Sequence, residues 1–373
     1  MLRSLARSVP AVAALTAAVL LSPPALGQDD GWLDEGTQED DDATMIDESE
    51  TLGQALLFGG VQVLWSGYGD LLLTYVPDNE LAFDVWHFNP IMLVRLGEDL
   101  RVEAEFEYEH SGLEFKLEFA YVDFTPIDAF NLRMGVLLMP IGEFNDTLHP
   151  SFRWDQVKRP AMFTNVVPAV WSDVGAAAFG KLPVGGDGDL SYMVFVVNGL
   201  GSDTLDLASE KVIRDARGNY RENNTDKAVG GRLRLEARES QQLGNVILSV
   251  SGYTGAMLPD NEARFSVEDV ALILGLGPVT VQGEAAMSFL DQGRGAGQRF
   301  ETGAYLQVRA DVGKVTPALR YDWVDGHLGE QHIGVASANW HFKTFWSLRG
   351  EVSVPLNEAN PVPGFYAMSS FFF

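Results

Sequence analysis

The chain has 373 residues, no cysteine, and a formal charge of −26 from 26 Lys and Arg against 52 Asp and Glu. That balance excludes nucleic acid as a partner, and the missing cysteines exclude a disulfide-stapled fold in an exported protein. Beyond the leader no stretch carries 18 consecutive apolar residues, which excludes transmembrane helices.

Residues 1–27 read as a signal peptide. Arg3 and Arg7 make a basic start, residues 9–21 form an apolar run too short to span a bilayer, and Pro23-Pro24 precede a small-x-small site at Ala25-Leu26-Gly27. An uncleaved anchor helix is the other reading. Residues 28–55 form an acidic segment, with 11 carboxylates and no basic residue between Gln28 and Glu50. Such a run is expected to be a solvated, disordered periplasmic tail; binding of divalent cations or basic partners is the alternative.

From Val61 onward the hydrophobic period is two. Arg101-Val102-Glu103-Ala104-Glu105-Phe106-Glu107-Tyr108-Glu109 alternates at every position, as do Glu114 to Phe119, Arg232 to Arg238 and Leu319 to Trp323. About sixteen such segments are predicted: 61–75, 82–95, 100–109, 114–124, 130–138, 170–181, 190–198, 228–238, 245–254, 264–274, 279–289, 300–310, 316–324, 332–342, 345–354 and 364–373. Their connections alternate. Residues 96–99, 125–129, 275–278, 311–315 and 343–344 are short, whereas 139–169, 199–227, 255–263, 290–299 and 355–363 are long; 77–80 and 110–113 are short members of the second set.

Short turns at one end and long loops at the other are the pattern of an outer-membrane barrel. In lipid every backbone N–H and C=O must pair internally, so a sheet that crosses the membrane closes on itself. The predicted fold over residues 56–373 is therefore an all-β transmembrane antiparallel barrel; a soluble β-solenoid or sandwich is the alternative. Trp65, Tyr75, Trp86, Tyr108, Tyr121, Trp323, Trp340, Trp346 and Tyr366 lie near segment ends, where interfacial girdles sit. The last segment ends in Phe371-Phe372-Phe373 and resembles the sorting signal read by the barrel-assembly machinery.

The connection 139–169 stands out for its length, rings and charges. Pro140 cannot donate to a ladder and ends a strand; Gly142 permits a sharp turn. Phe144, Phe152, Trp154 and Phe163 can pack such a loop against the barrel wall, with Arg153, Asp155, Lys158 and Arg159 projecting into the lumen. An outward-folded cap with solvated charges is the other reading. The run Arg133-x-Gly135-x-Leu137-x-Met139-Pro140-Ile141-Gly142-Glu143, followed by Arg159-Pro160, Asp173-x-Gly175 and Phe179-Gly180, resembles the phosphate-selective porin O and P family. That resemblance implies an inward-folded third extracellular loop, a constriction carrying Arg133, Arg153, Asp155, Lys158 and Arg159, and a homotrimer set in outer-membrane lipid and lipopolysaccharide.

Two charge walls are expected in the lumen. One is acidic: Glu103, Glu105, Glu107, Glu114 and Glu118. The other is basic: Arg232, Arg234, Arg238, Arg309, Arg320 and Arg349. Opposed walls would create a transverse field on solutes; the plainer reading is that each charge pairs with its neighbours. Phosphate selection needs a dense basic path, which the composition does not supply. Weak cation preference or little selectivity is expected. No G-x-S-x-G occurs, and His327, Glu330 and His332 have no recognised ligand spacing, so neither enzymatic chemistry, nor a metal, nor a cofactor is expected. A passive channel for small hydrophilic solutes is the leading reading, and a plugged barrel with an adhesive or envelope-structural role the alternative.

Overall fold

The computed structural model describes residues 56–58 and 61–373, apart from 78–80, 113, 186, 202–208, 210–211, 218–223, 239–244, 294–296, 328 and 359–361. The leader and acidic segment read from residues 1–55 lie outside the described residues. A short strand that the alternation does not predict, β1 (Leu56–Phe58), comes first, and the sixteen alternating segments all become strands: β2 (Val61–Tyr75), β3 (Ala82–Leu96), β4 (Leu100–Glu109), β5 (Glu114–Ile127), β6 (Phe130–Leu138), β7 (Ser172–Pro183), β8 (Asp187–Val197), β9 (Ala228–Arg238), β10 (Val246–Ala256), β11 (Arg264–Leu276), β12 (Val279–Asp291), β13 (Gln298–Ala310), β14 (Val315–Gly326), β15 (Gly329–Lys343), β16 (Trp346–Pro355) and β17 (Gly364–Phe372).

Each strand from β2 to β17 pairs antiparallel with its sequence neighbours, and β17 pairs back onto β2, from Phe365↔Tyr75 to Phe372↔Tyr68. The result is a closed barrel of 16 strands with no free edge. β1 continues the line of β17 by pairing with the first residues of β2 (Phe58↔Val61). Short turns gather at the end that holds both termini of the barrel. At the opposite end the connection between β14 and β15 is also tight, with Gly326 facing Gly329.

Two faces follow from the period. On β14, Leu319 and Tyr321 are exposed while Ala318, Arg320 and Asp322 are buried; on β16, Leu348 is exposed while Arg349 and Glu351 are buried. The interior is not purely polar. Phe119, Phe195, Tyr253, Phe265, Val267 and Tyr305 also point inward and join one apolar cluster.

Two irregularities redirect side chains. The β2–β3 register slips between Asp70 and Leu71, leaving Trp86 as the extra residue, and the β4–β5 register slips between Glu105 and Phe106, leaving Glu118. The expected girdle is corrected in part, at Trp86 by the first of these bulges. Trp65, Tyr75, Tyr108, Trp340 and Trp346 are exposed on the barrel. By contrast, Trp86 stacks on the buried His87 ring, Tyr121 is buried, and Tyr366 lies against Lys158.

Candidate functional site: the connection between β6 and β7

β6 stops at Leu138 because Pro140 follows. Gly142 then adopts φ +70, and a Cβ there would lie 2.6 Å from Glu284 Oε2 and 3.1 Å from Phe163 Cζ. Only glycine fits both the turn and the space. Helix α1 (Gly142–Asp146), a 3₁₀ turn (Ser151–Arg153) and helix α2 (Met162–Asn165) follow before β7. Rings fasten these pieces together: Phe144 lies 4.8 Å from Phe163 and 5.4 Å from Trp154, and Phe152 packs on Tyr68 and Phe372.

Strand carboxylates receive the connection's backbone. Glu143 N–H donates to Glu284 Oε2 (3.0 Å), Val157 and Lys158 N–H donate to Glu351 Oε2 (2.6 and 3.0 Å), and Ala161 N–H donates to Asp322 Oδ2 (3.3 Å). Gly142 N–H reaches Ser251 Oγ at 2.9 Å, and Ser151 Oγ donates to Asp70.

The predicted basic wall supplies the complementary contacts. Arg232 donates to Asp146 Oδ1 (2.6 Å), Arg234 to Glu143 Oε2 (3.3 Å), and Arg309 to Asp155 Oδ1 (3.3 Å). Arg320 donates to the carbonyls of Lys158 (2.9 Å) and Arg159 (3.3 Å), and Arg349 to the carbonyl of Ser151 (2.6 Å). Arg238 is on β9, with its side chain outside the described residues.

The acidic wall divides. Glu105 accepts from Tyr68, Asn89 and the His149 ring (3.3 Å), Glu103 accepts from Tyr121, Glu107 and Glu118 pair with Lys116, and Glu114 is exposed.

Of the five predicted constriction residues, four belong to this connection. Arg153 is exposed and donates to the Thr147 carbonyl. Asp155 accepts from Gln307 (2.7 Å) as well as Arg309. Burial pushes its carboxyl above the usual range against the pull of Arg309. Lys158 Nζ lies 5.4 Å from the Trp86 ring and 4.7 Å from Tyr366, and burial lowers its pKa in spite of Glu351. Arg159 donates to the Ala169 carbonyl, and burial, with Arg214 and Arg217 nearby, brings it down to about 10.

Arg133 is the exception. It sits on β6 opposite Asp123, makes a two-pronged pair with that carboxylate (2.7 and 2.9 Å), and lies over Tyr121. It is therefore part of the wall, because strand register fixes it there. Sequence reasoning missed the inward carboxylates that hold the connection. For two of them the signal was a spacing of two from an arginine, since Arg320/Asp322 and Arg349/Glu351 share strand faces; Asp70 and Glu284 carry no such mark.

Two cavities lie in the barrel, the first lined by strand and turn residues alone and the second by the connection as well. One of about 430 Å³ is lined by Arg101, Asp128, Asn131, Lys181, Tyr192 and Arg232 among others. One of about 160 Å³ is lined by Arg153, Asp155, Lys158, Gln307, Arg309 and Arg320 among others.

Solved structures of similar fold are outer-membrane proteins. OmpT of Vibrio cholerae, in-vitro folded, superposes with a TM-score of 0.60 over 86% of this chain and 100% of that one at 7% identity; its loop L8 deletion mutant gives 0.61 over 84% and 100% at 9% identity. OmpF of Salmonella typhi, solved with daunomycin, gives 0.59 over 86% and 100% at 10% identity. The chain thus has the fold of an outer-membrane β-barrel. A sequence relative, an uncharacterized protein of Aquifex aeolicus strain VF5, is 30% identical over 188 residues, 48% of this chain and 42% of its own length. The chain thus spans less than half of that relative. No family model matches.

Proposed function

We propose that this chain is an outer-membrane porin: a water-filled channel for passive diffusion of small hydrophilic solutes or ions, narrowed by residues 139–171 lying inside the barrel. One observation carries the reading. Inward arginines on β9, β13, β14 and β16 all donate to the same connection, together with carboxylates on β2, β12, β14 and β16 that accept from it. A loop folded outward as a cap could not meet strands from so many sides of a ring.

Selectivity among small ions is weak in this proposal. Five of the basic groups around the cavities are paired, Arg101 with Asp123, Lys181 with Asp189, Arg232 with Asp146, Arg309 with Asp155, and Arg320 with Asp322, while Arg153 donates to a carbonyl and Lys158 lies over two rings. Paired charges keep a pore wet without giving it a dominant sign. Kinship with the porin O and P group, and a homotrimer in outer-membrane lipid, are part of the same proposal. Single-channel recording of refolded protein under a KCl gradient tests it. Stable steps with a small reversal potential are expected, and three equal closing steps would add the trimer.

A specific observation favours a second reading, a plugged barrel. Trp171, Phe163, Phe265, Met139 and Met257 are fully buried inside one apolar cluster. Silence from demonstrably folded protein would select it.

A further inference from the structure

Near the long-loop end of the barrel, three strands bring His87, Glu107 and Glu109 together, and among the described residues none of the three bonds to the connection's backbone. His87 on β3 stands directly across from Asp70 on β2 and from Glu109 on β4. Glu107 shares the face of Glu109 two residues along the strand. His87 Nε2 lies 3.6 Å from Glu107 Oε1 and 3.5 Å from Glu109 Oε1, and the three ligand atoms fall within 4.8 Å of one another.

Those separations are long for hydrogen bonds. They match the edges of a coordination polyhedron: ligands about 2.0–2.2 Å from a tetrahedral zinc ion stand roughly 3.3–3.6 Å apart. The oxygens are sorted. Both Oε1 atoms approach His87, whereas both Oε2 atoms approach Lys116 Nζ, at 2.6 Å from Glu107 and 3.7 Å from Glu109.

The imidazole is also fixed in advance. Its Nδ1 lies 2.9 Å from Asp70 Oδ2, and the Trp86 indole stacks on it at 4.8 Å. Asp70 is held in turn by the hydroxyls of Ser151 and Ser370. A carboxylate on Nδ1 favours a proton on that nitrogen, which leaves Nε2, the nitrogen facing the glutamates, as the one a metal would take in place of a proton, the usual outer-shell arrangement of a metal-binding histidine. Charge argues in the same direction. Asp70, Glu107, Glu109 and the adjacent Glu118 are four carboxylates; among the described residues Lys116 is the cationic side chain paired directly with Glu107, Glu109 and Glu118, Arg159 and Arg349 act on the group from further off, and Asp70, Glu107 and Glu118 are buried. A bound cation would offset the negative charge that remains. The side chain of Glu109, 17% exposed, opens the cluster to solvent.

We propose that His87, Glu107 and Glu109 form a binding site for one divalent first-row transition cation, with Asp70 as the positioning residue behind the imidazole. One nitrogen and two carboxylate oxygens suit Zn²⁺ or Co²⁺ better than Ca²⁺, which takes six to eight oxygen ligands. Three protein ligands leave a coordination position for water or a passing anion.

The test uses the refolded barrel in detergent, with Zn²⁺ for stoichiometry and Co²⁺ as a visible probe. Saturation at one Zn²⁺ per chain and intense Co²⁺ d–d bands are expected. His87→Ala and, separately, Glu109→Gln should each weaken Zn²⁺ binding by about a hundredfold or more, and Asp70→Asn by about 10–100-fold. Glu109→Gln, at the end of its strand, keeps the test informative should His87→Ala fail to fold; heat-modifiable mobility on gels verifies folding of each. His110→Ala is the control, since that ring pairs with Asp84 outside the cluster. Absence of saturable binding, or binding that His87→Ala and Glu109→Gln leave unchanged, overturns the proposal, as does displacement of Zn²⁺ by equimolar Ca²⁺.

Discussion

Arg349 on β16, 1% exposed, donates to the carbonyl of Ser151 at 2.6 Å, while its other terminal nitrogen donates to Ser370 on β17 at 2.8 Å. One guanidinium thus fastens the connection to the seam region where the barrel closes. Each hydrogen bond from a charged donor contributes about 1.5–3 kcal/mol. Arg349→Met keeps comparable bulk and removes both. The expected result is a lower temperature for the heat-modifiable mobility shift and a noisier, larger conductance, because Ser151 loses its anchor. Unchanged channel noise in a folded variant would mean that the connection is held without this arginine.

Asp155 answers Arg309 and Gln307 on β13. With burial raising its pKa, this carboxyl takes up a proton at a higher pH than an ordinary aspartate does. Above that pH the pair is neutral overall; below it Arg309 stands uncompensated. Anion preference should therefore grow as the pH is lowered through the raised value, beginning above the ordinary midpoint of about 3.9. Asp155→Asn should show anion preference at neutral pH and lose the step. Reversal potentials between pH 7 and pH 4 check both.

His149 carries the opposite sign. Burial opposes its charged form, but the hydrogen bond and charge of Glu105 prevail and raise its pKa above the usual value. A group whose folded pKa is raised gives stability that is complete below the unfolded value, about 6.5, and lost as pH rises through the folded value. The hold of this part of the connection on β4 should weaken with rising pH across that window. More frequent conductance fluctuations toward alkaline pH are expected, and His149→Gln should flatten the dependence. Fluctuations identical in both proteins at every pH would show that the His149–Glu105 pair does not hold the connection.

The strands were legible because period two survives wherever one face meets lipid and the other the lumen; Leu319-Arg320-Tyr321-Asp322 is as plain in sequence as in three dimensions. Pro140 and Gly142 were legible because their backbone chemistry is local. The partners of the wall arginines were not. Arg232 finds Asp146 86 positions away, a pairing that depends on ring closure and on the path of the connection. Bulges leave no compositional mark, so the inward turns of Trp86 and Phe119 could not be read in advance. The family resemblance places Arg133 with the connection, whereas cross-strand register hands it to Asp123.

Gly142 offers the sharpest single-atom test of how the connection begins. Its φ of +70 is disfavoured for a residue with a Cβ. The added carbon would also press on Glu284 Oε2, which accepts the next residue's N–H, and on Phe163, which stacks on Phe144. Gly142→Ala therefore combines backbone strain of about 1–3 kcal/mol with displacement of one anchor and one ring. The strands themselves do not depend on this residue, so the barrel should still form. What should change is the connection: lower resistance of the stretch 139–171 to limited proteolysis, and a conductance closer to that of an unobstructed barrel. Both readouts are needed. Proteolytic sensitivity without a conductance change would place the segment away from the permeation path, and a conductance change with intact protection would mean that the segment shifted as a unit.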